Sequence, residues 1–286
     1  MEKRLDTRDG LALRGRDWPR DGARGTIVVV HGLGEHIGRY EHVAAALVAR
    51  GWRVVGFDQR GHGASDGARG RLARDDDLLA DLALVLDAAK AAHAGPLVLL
   101  GHSMGGTVAA RFVAGALETP APPWRREVDA LVLSSPALAA GTSAWQKTLL
   151  AVLGRLAPDV GVANGLKPEW ISRDPAVVAA YRADPRVHDR IAPRLARFIL
   201  DAGAAVRAAA PRWRVPTLLL YAGSDRCVDP AGSAAFAAAA PAGVVTARVF
   251  PALFHEIFNE LERAEVLAAL GDGLDTLAVS PPRSPR

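Results

Sequence analysis

The sequence predicts an α/β fold with a mostly parallel central sheet, helices on both of its faces, and one helical insertion. Three observations predict it. Six short segments are almost uniformly apolar, helical patterns alternate with them, and the alternation lapses across one stretch that proline breaks repeatedly. With 286 residues, half of them apolar, the chain is long enough for one large core and needs no second independent domain.

Taken in order, residues 26–30 (TIVVV), 52–57 (WRVVGF), 97–100 (LVLL), 128–133 (VDALVL), 217–221 (TLLLY) and 244–250 (VVTARVF) read as strands. A sheet with one wet face alternates apolar and polar residues; most of these segments do not, so both faces are expected to be covered. Helical patterns fall at 40–50, 77–93, 104–115, 232–240 and after Asn259. From about 136 to 211 the pattern changes: helical pieces rich in Ala and Arg are interrupted by Pro158, Pro168, Pro175, Pro185 and Pro193, with no convincing strand. The chain therefore divides into a first core part (1–136), a helical cap insertion (137–211), a second core part (212–279) and a tail, 280–286 (SPPRSPR), which has nothing to bury and is expected to be disordered.

Composition excludes several classes. Lys and Arg number 35 against 31 Asp and Glu, and the surplus is scattered, so no basic platform for nucleic acid is present. The single cysteine, Cys227, cannot form an intrachain disulfide or a Cys-rich zinc site. Residues 1–16 are charged throughout, with no apolar secretory core. No run approaches the roughly 18 apolar residues of a membrane span. A soluble, cytoplasmic protein is expected.

The chemistry starts at residues 101–105 (GHSMG), a G-x-S-x-G string. In a glycine-rich chain the string alone is weak evidence, but here an apolar strand precedes it and a helix follows. That junction is the tight turn which lifts a serine hydroxyl above the sheet edge, and Ser103 is the expected nucleophile. A serine hydroxyl is inert near neutral pH without a base, so a histidine and an acid must follow along the chain. His255 lies in the loop after the last strand and is the expected base. Of the other histidines, His31, His36, His42, His62, His93 and His102 precede Ser103, and His188 precedes the strand that should carry the acid. His255-Glu256 also begins like the zinc motif H-E-x-x-H, but Asn259 stands at the fifth position, so no metal is expected. Asp225, in the turn that follows the TLLL strand, is the expected acid, with Asp229 its direct competitor. Acyl transfer also needs two backbone N–H groups for the developing oxyanion; Met104 and Leu33, the latter in the turn 31–34 (HGLG), are the expected donors. Loop 57–67 (FDQRGHGASDG) invites a catalytic reading through Asp58, Arg60 and His62, but is expected to be scaffolding in which Asp58 and Arg60 fix the turn. The Asp75-Asp76-Asp77 run suits the positive end of the helix it opens.

Together HGLGEHIGRY, GFDQRGHGASDG, GHSMGG, SSPAL, SRDP with ADPRVH, and the acid and base loops resemble the monoacylglycerol lipase and lysophospholipase-like group of the α/β-hydrolase fold. The resemblance spans nearly the whole chain. It implies a Ser103, Asp225, His255 triad, Leu33 and Met104 as oxyanion donors, no cofactor, and a mobile cap over an acyl tunnel. In the cap, Trp145, Leu149, Val152, Leu153 and Leu156 recur at helical spacing as an apolar stripe, expected to pack on the core or line the tunnel for a small-molecule lipid ester. Weak peripheral membrane contact through the same stripe is the alternative. The implied activity is hydrolysis of monoacylglycerols to fatty acid and glycerol. A lysophospholipase or general carboxylesterase with the same triad is the nearest rival, and a non-catalytic ligand-binding protein of the same fold the remote one.

Overall fold

The structure, a computed structural model, describes residues 2–139 and 157–277. Strands β1 (Glu2–Asp6), β2 (Ala12–Trp18), β3 (Thr26–Val30), β4 (Arg53–Phe57), β5 (Leu97–His102) and β6 (Ala130–Ser134) precede the insertion; β7 (Val162–Ala163) and β8 (Arg190–Ile191) lie within it; β9 (Thr217–Ala222) and β10 (Val245–Phe250) follow it. Eight strands form one sheet in the order β1-β2-β4-β3-β5-β6-β9-β10. The β1–β2 and β2–β4 pairs are antiparallel and all others in this sheet are parallel.

The uniformly apolar strands serve two cores at once. Along β3, Val28 and Val30 face one apolar cluster while Ile27 and Val29 face the other, and Leu99 and Leu100 of β5 divide in the same way. The first cluster is closed by α2 (Asp77–Ala92), α3 (Met104–Ala114), α5 (Pro193–Ala209) and α6 (Pro230–Ala239); the second by α1 (Glu41–Ala49) and α7 (Arg263–Thr276). Glycine lets α3 sit unusually close to the sheet: a Cβ at Gly105 would lie 2.2 Å from the Val30 carbonyl oxygen.

The β1–β2 hairpin is absent from the sequence expectation. Its first strand, EKRLD, is half exposed and mostly charged, so its apolar content is too small to read as a strand. Its inner face is nonetheless anchored by buried Leu13 and by Asp17, which accepts the Arg53 fork at 2.5 and 3.1 Å.

Within the insertion, α4 (Pro175–Ala183) is followed by β8, which pairs antiparallel with β7 over two residues each, too short a ladder to leave an alternating pattern. Helix α5 packs along α3, and Leu195, Phe198, Ala202 and Val206 enter the first core. The stripe positions Trp145, Leu149, Val152, Leu153 and Leu156, and the tail 280–286, lie outside the described residues.

Candidate active site

Ser103 sits between the end of β5 and the first residue of α3 with φ +54° and ψ −121°. An L-residue held there costs on the order of 1–3 kcal/mol. The turn is over-determined by backbone bonds: the Ser103 N–H donates to Ser134 O at 3.0 Å, and Ser103 O accepts from Thr107 N at 3.0 Å and Ala137 N at 3.1 Å. Such a seat exposes the hydroxyl while the rest of the residue is pinned.

The structure brings Ser103, His255 and Asp225 together. His255 Nε2 lies 2.8 Å from Ser103 Oγ, and His255 Nδ1 lies 2.7 Å from Asp225 Oδ2. A carboxylate cannot donate, so the Nδ1 proton points at Asp225 and Nε2 is left to accept from the serine hydroxyl. Asp225 Oδ1 accepts the Cys227 and Val228 N–H groups at 2.8 and 3.0 Å, which fixes the carboxylate's rotation. Burial alone would lower the His255 pKa; the Asp225 carboxylate, helped by Glu256 and Glu35, reverses this and holds it above the ordinary imidazole value. Burial alone would raise Asp225, and the imidazole facing it brings it below the usual carboxylate range. Asp229 is elsewhere: it caps α6, accepting the Ala231 N–H at 2.9 Å ahead of Pro230.

His102, immediately before the nucleophile, does not touch the hydroxyl. Its Nδ1 pairs with Ser134 Oγ at 3.0 Å, its ring stands 4.8 Å from that of His255, and burial pushes its pKa down to about 4. It is a neutral wall beside His255.

On the other side of Ser103 runs the loop after β3. Met104 opens α3, so its N–H has no partner inside the helix, and Leu33 lines the cleft beside Ser103. The Gly32 N–H is taken by Glu35 Oε1 at 2.5 Å. Loop 57–67 braces this loop from behind. Gln59 N donates to His31 Nε2 at 2.9 Å, Gln59 Nε2 to His31 O at 2.7 Å, and Ile37 N to Asp58 Oδ1 at 2.8 Å. Arg60 points away from the site, pairing with Asp9, Asp77 and Asp81 at 2.6 to 3.0 Å and joining the β1–β2 connection to α2. Asp58 thus holds its own turn, accepting Ala64 N at 2.8 Å, whereas Arg60 reaches beyond it.

A cleft of about 410 Å³ opens above Ser103. Its far wall is the described part of the insertion, contributing Asn164, Lys167, Tyr181, Asp184, His188 and Asp189. The insertion is stitched to the loop after β3. His188 N donates to Gly34 O at 2.9 Å, and His36 Nε2 donates to Asp184 Oδ2 at 2.8 Å. Gly34 has φ +77°, and a Cβ there would lie 2.2 Å from His188 O. These wall residues were missed by sequence reasoning, as were Glu35 and Arg39, although both lie in the quoted HGLGEHIGRY. Among the described residues, ligand-type atoms of Asp225, Cys227 and His255 fall within 4.8 Å of one another. This cluster is the hydrogen-bonded relay itself, with both imidazole nitrogens engaged, and burial raises the Cys227 thiol pKa. No metal ligands are assigned.

Comparison with known proteins identifies the family. The family model described as serine aminopeptidase, S33, matches residues 21–262. A monoacylglycerol lipase of Mycolicibacterium smegmatis is 38% identical over 253 residues, 87% of each chain. A phospholipase of Bacillus subtilis is 29% identical over 255 residues, 88% of this chain and 95% of that one. The crystal structure of a monoacylglycerol lipase from Paleococcus ferrophilus superposes with a TM-score of 0.81 at 32% identity, covering 92% of this chain and 98% of the other.

Proposed function

The chain belongs to the serine aminopeptidase S33 family, has the α/β-hydrolase fold and is a serine hydrolase; on that premise we propose that it cleaves monoacylglycerols to fatty acid and glycerol through an acyl-enzyme on Ser103. The observation that carries the chemistry is the 2.8 Å contact between Ser103 Oγ and His255 Nε2 at the floor of a cleft. His255 takes the hydroxyl proton as Oγ attacks the ester carbonyl, and Asp225 stabilises the imidazolium that forms. The Leu33 and Met104 N–H groups hold the oxyanion. The imidazolium then protonates the leaving glycerol oxygen, and a water activated by the same histidine releases the acid. No cofactor enters this sequence.

The substrate class rests on two supports. The Mycolicibacterium and Paleococcus relatives are both named monoacylglycerol lipases. In addition, the cleft wall carries Asp184, paired with His36 and Arg186, and Asp189, paired with Arg190, as acceptors that glycerol hydroxyls can share beside Lys167 and Arg182. Lys167 on the same wall and the Bacillus phospholipase favour the rival, a lysophospholipid. We assign the cap to 137–211. Among the described residues no helix is long and apolar enough to cross a membrane.

The test is hydrolysis of a monoacylglycerol series of rising chain length beside matched lysophospholipids, with wild type and Ser103→Ala in parallel. Monoacylglycerol turnover should dominate and fall at least about 10⁴-fold in Ser103→Ala. Ser103-dependent turnover that favours lysophospholipids would keep the mechanism and replace the substrate; no turnover of any ester would remove both.

A further inference from the structure

Three charged side chains that the proposed chemistry does not use form a continuous chain from one side of Ser103 to the other. Glu35, only 3% exposed, accepts the Gly32 N–H at 2.5 Å and the Tyr40 hydroxyl at 2.7 Å on Oε1, and Arg39 Nη1 at 2.8 Å on Oε2. Arg39 continues as a fork onto Glu256, at 2.6 and 2.7 Å. Glu256 is the residue after His255, and its carboxylate is also held by Asn259 Nδ2 at 2.9 Å. We propose that Glu35 is a positioning residue for the oxyanion site: it fixes the peptide that leads into the Leu33 N–H and, through Arg39 and Glu256, ties that loop to the one carrying His255. This rests on the reading of Ser103 and His255 as nucleophile and base.

Gly32 is wedged between Ser103 and Glu35. A Cβ there would lie 3.2 Å from Ser103 Cβ and 2.8 Å from Glu35 Oε1, so a small rotation of this peptide changes where the next N–H points relative to the nucleophile. The hydrogen bond to a buried carboxylate is charge-assisted and opposes that rotation. Both Glu35 oxygens are occupied and Arg39 stabilises the ionised form, although burial works against it. The carboxylate is therefore committed to the protein and is not a spare ligand for substrate.

The trio carries one net negative charge. His255 also faces Asp225 and Cys227 from the acid loop and His102 from the end of β5, and the cleft it lines is shared by Tyr181, Arg182, Lys167, Asp184 and Asp189. Cys227 and His102 are neutral, and the carboxylates that raise the His255 pKa are Asp225 first and then Glu256 and Glu35, the two ends of the chain. Geometry and charge can be separated by substitution: Glu35→Asp keeps the charge and withdraws the carboxylate by one methylene, whereas Glu35→Gln keeps the reach and loses the charge.

Wild type and both variants should be compared on p-nitrophenyl butyrate and on the preferred monoacylglycerol, with active sites counted by fluorophosphonate labelling. The inhibition constant of an alkyl boronic acid, whose serine adduct mimics the tetrahedral oxyanion, is measured in parallel. Per labelled site, Glu35→Asp should lose about ten- to a hundredfold in kcat, somewhat less than outright removal of an oxyanion donor, with boronate affinity falling in step and KM within about twofold. Its acid pH limb should stay in place. Glu35→Gln should show a smaller loss in kcat and an acid limb displaced to lower pH, and Glu256→Gln, at the far end of the chain, should displace the limb in the same direction. Wild-type kcat and boronate affinity per labelled site in Glu35→Asp would overturn the proposal, as would an equal loss in substrate and boronate binding with kcat unchanged. Absence of fluorophosphonate labelling at Ser103 in wild type would instead overturn the underlying reading of the site.

Discussion

At the scale of single residues, the two aspartates of the loop after β9 illustrate how little sequence separates unlike duties. Asp225 faces His255 and Asp229 caps a helix four residues later. Asp225→Asn should lower kcat by about 10⁴-fold, because the amide favours the wrong imidazole tautomer, while Asp229→Ala should leave kcat intact and cost about 1 kcal/mol of stability. Denaturant melts and kinetics on the two variants check this together. The pH dependence follows from the raised His255 pKa. The base is protonated and inactive below its pKa, so kcat/KM should be lost as pH falls through a midpoint above 6.5, and Asp225→Asn should move that midpoint down. The meeting of Ser103, Asp225 and His255 was legible in the sequence because Ser103 and Asp225 follow the buried strands β5 and β9, and His255 follows the last strand in chain order, although β10 itself is mostly exposed. Glu35 and Glu256 were not legible. Arg39 and Glu256 are 217 residues apart, and their pairing exists only after the parallel sheet has brought the carboxyl ends of central β3 and edge strand β10 to the same side.

At the scale of elements, loops do unequal work. Loop 57–67 looks catalytic by composition, yet its hydrogen bonds brace the turn after β3 and its arginine leaves the site altogether. Arg60 is 2% exposed and pairs with Asp77 and Asp81, both buried. Arg60→Met leaves Asp81 buried without its arginine, while Asp77 keeps Arg8 at 3.0 Å and the Ala73 and Arg74 N–H groups, and should cost about 3–5 kcal/mol of stability, with kcat per labelled active site unchanged. Thermal melts alongside active-site titration measure the two effects separately. The parallel strands and their helices were readable because burial on both faces leaves long apolar runs. The hairpin β1–β2 was not, because an antiparallel edge with a wet outer face tolerates EKRLD. The β7–β8 ladder was hidden by its length, two residues in each strand.

At the scale of the molecule, two apolar cores clamp a sheet at whose carboxyl end the proposed chemistry lies, and Asp184 and His188 bond to the turn after β3. The loop they contact is the one that holds Leu33, the proposed oxyanion donor. The backbone of Ser103 has a further consequence, for how such a molecule ages under mutation. Its φ of +54° suits glycine better than any side chain. Ser103→Gly should therefore be more stable than Ser103→Ala by roughly 1 kcal/mol, even though glycine has the more disordered unfolded chain, and chemical denaturation of the pair reads that difference directly. Equal midpoints would mean that the turn relaxes when the hydroxyl is gone. The seat of the proposed nucleophile thus carries a local backbone cost that glycine would relieve, and the proposed chemistry is what a serine there supplies in return.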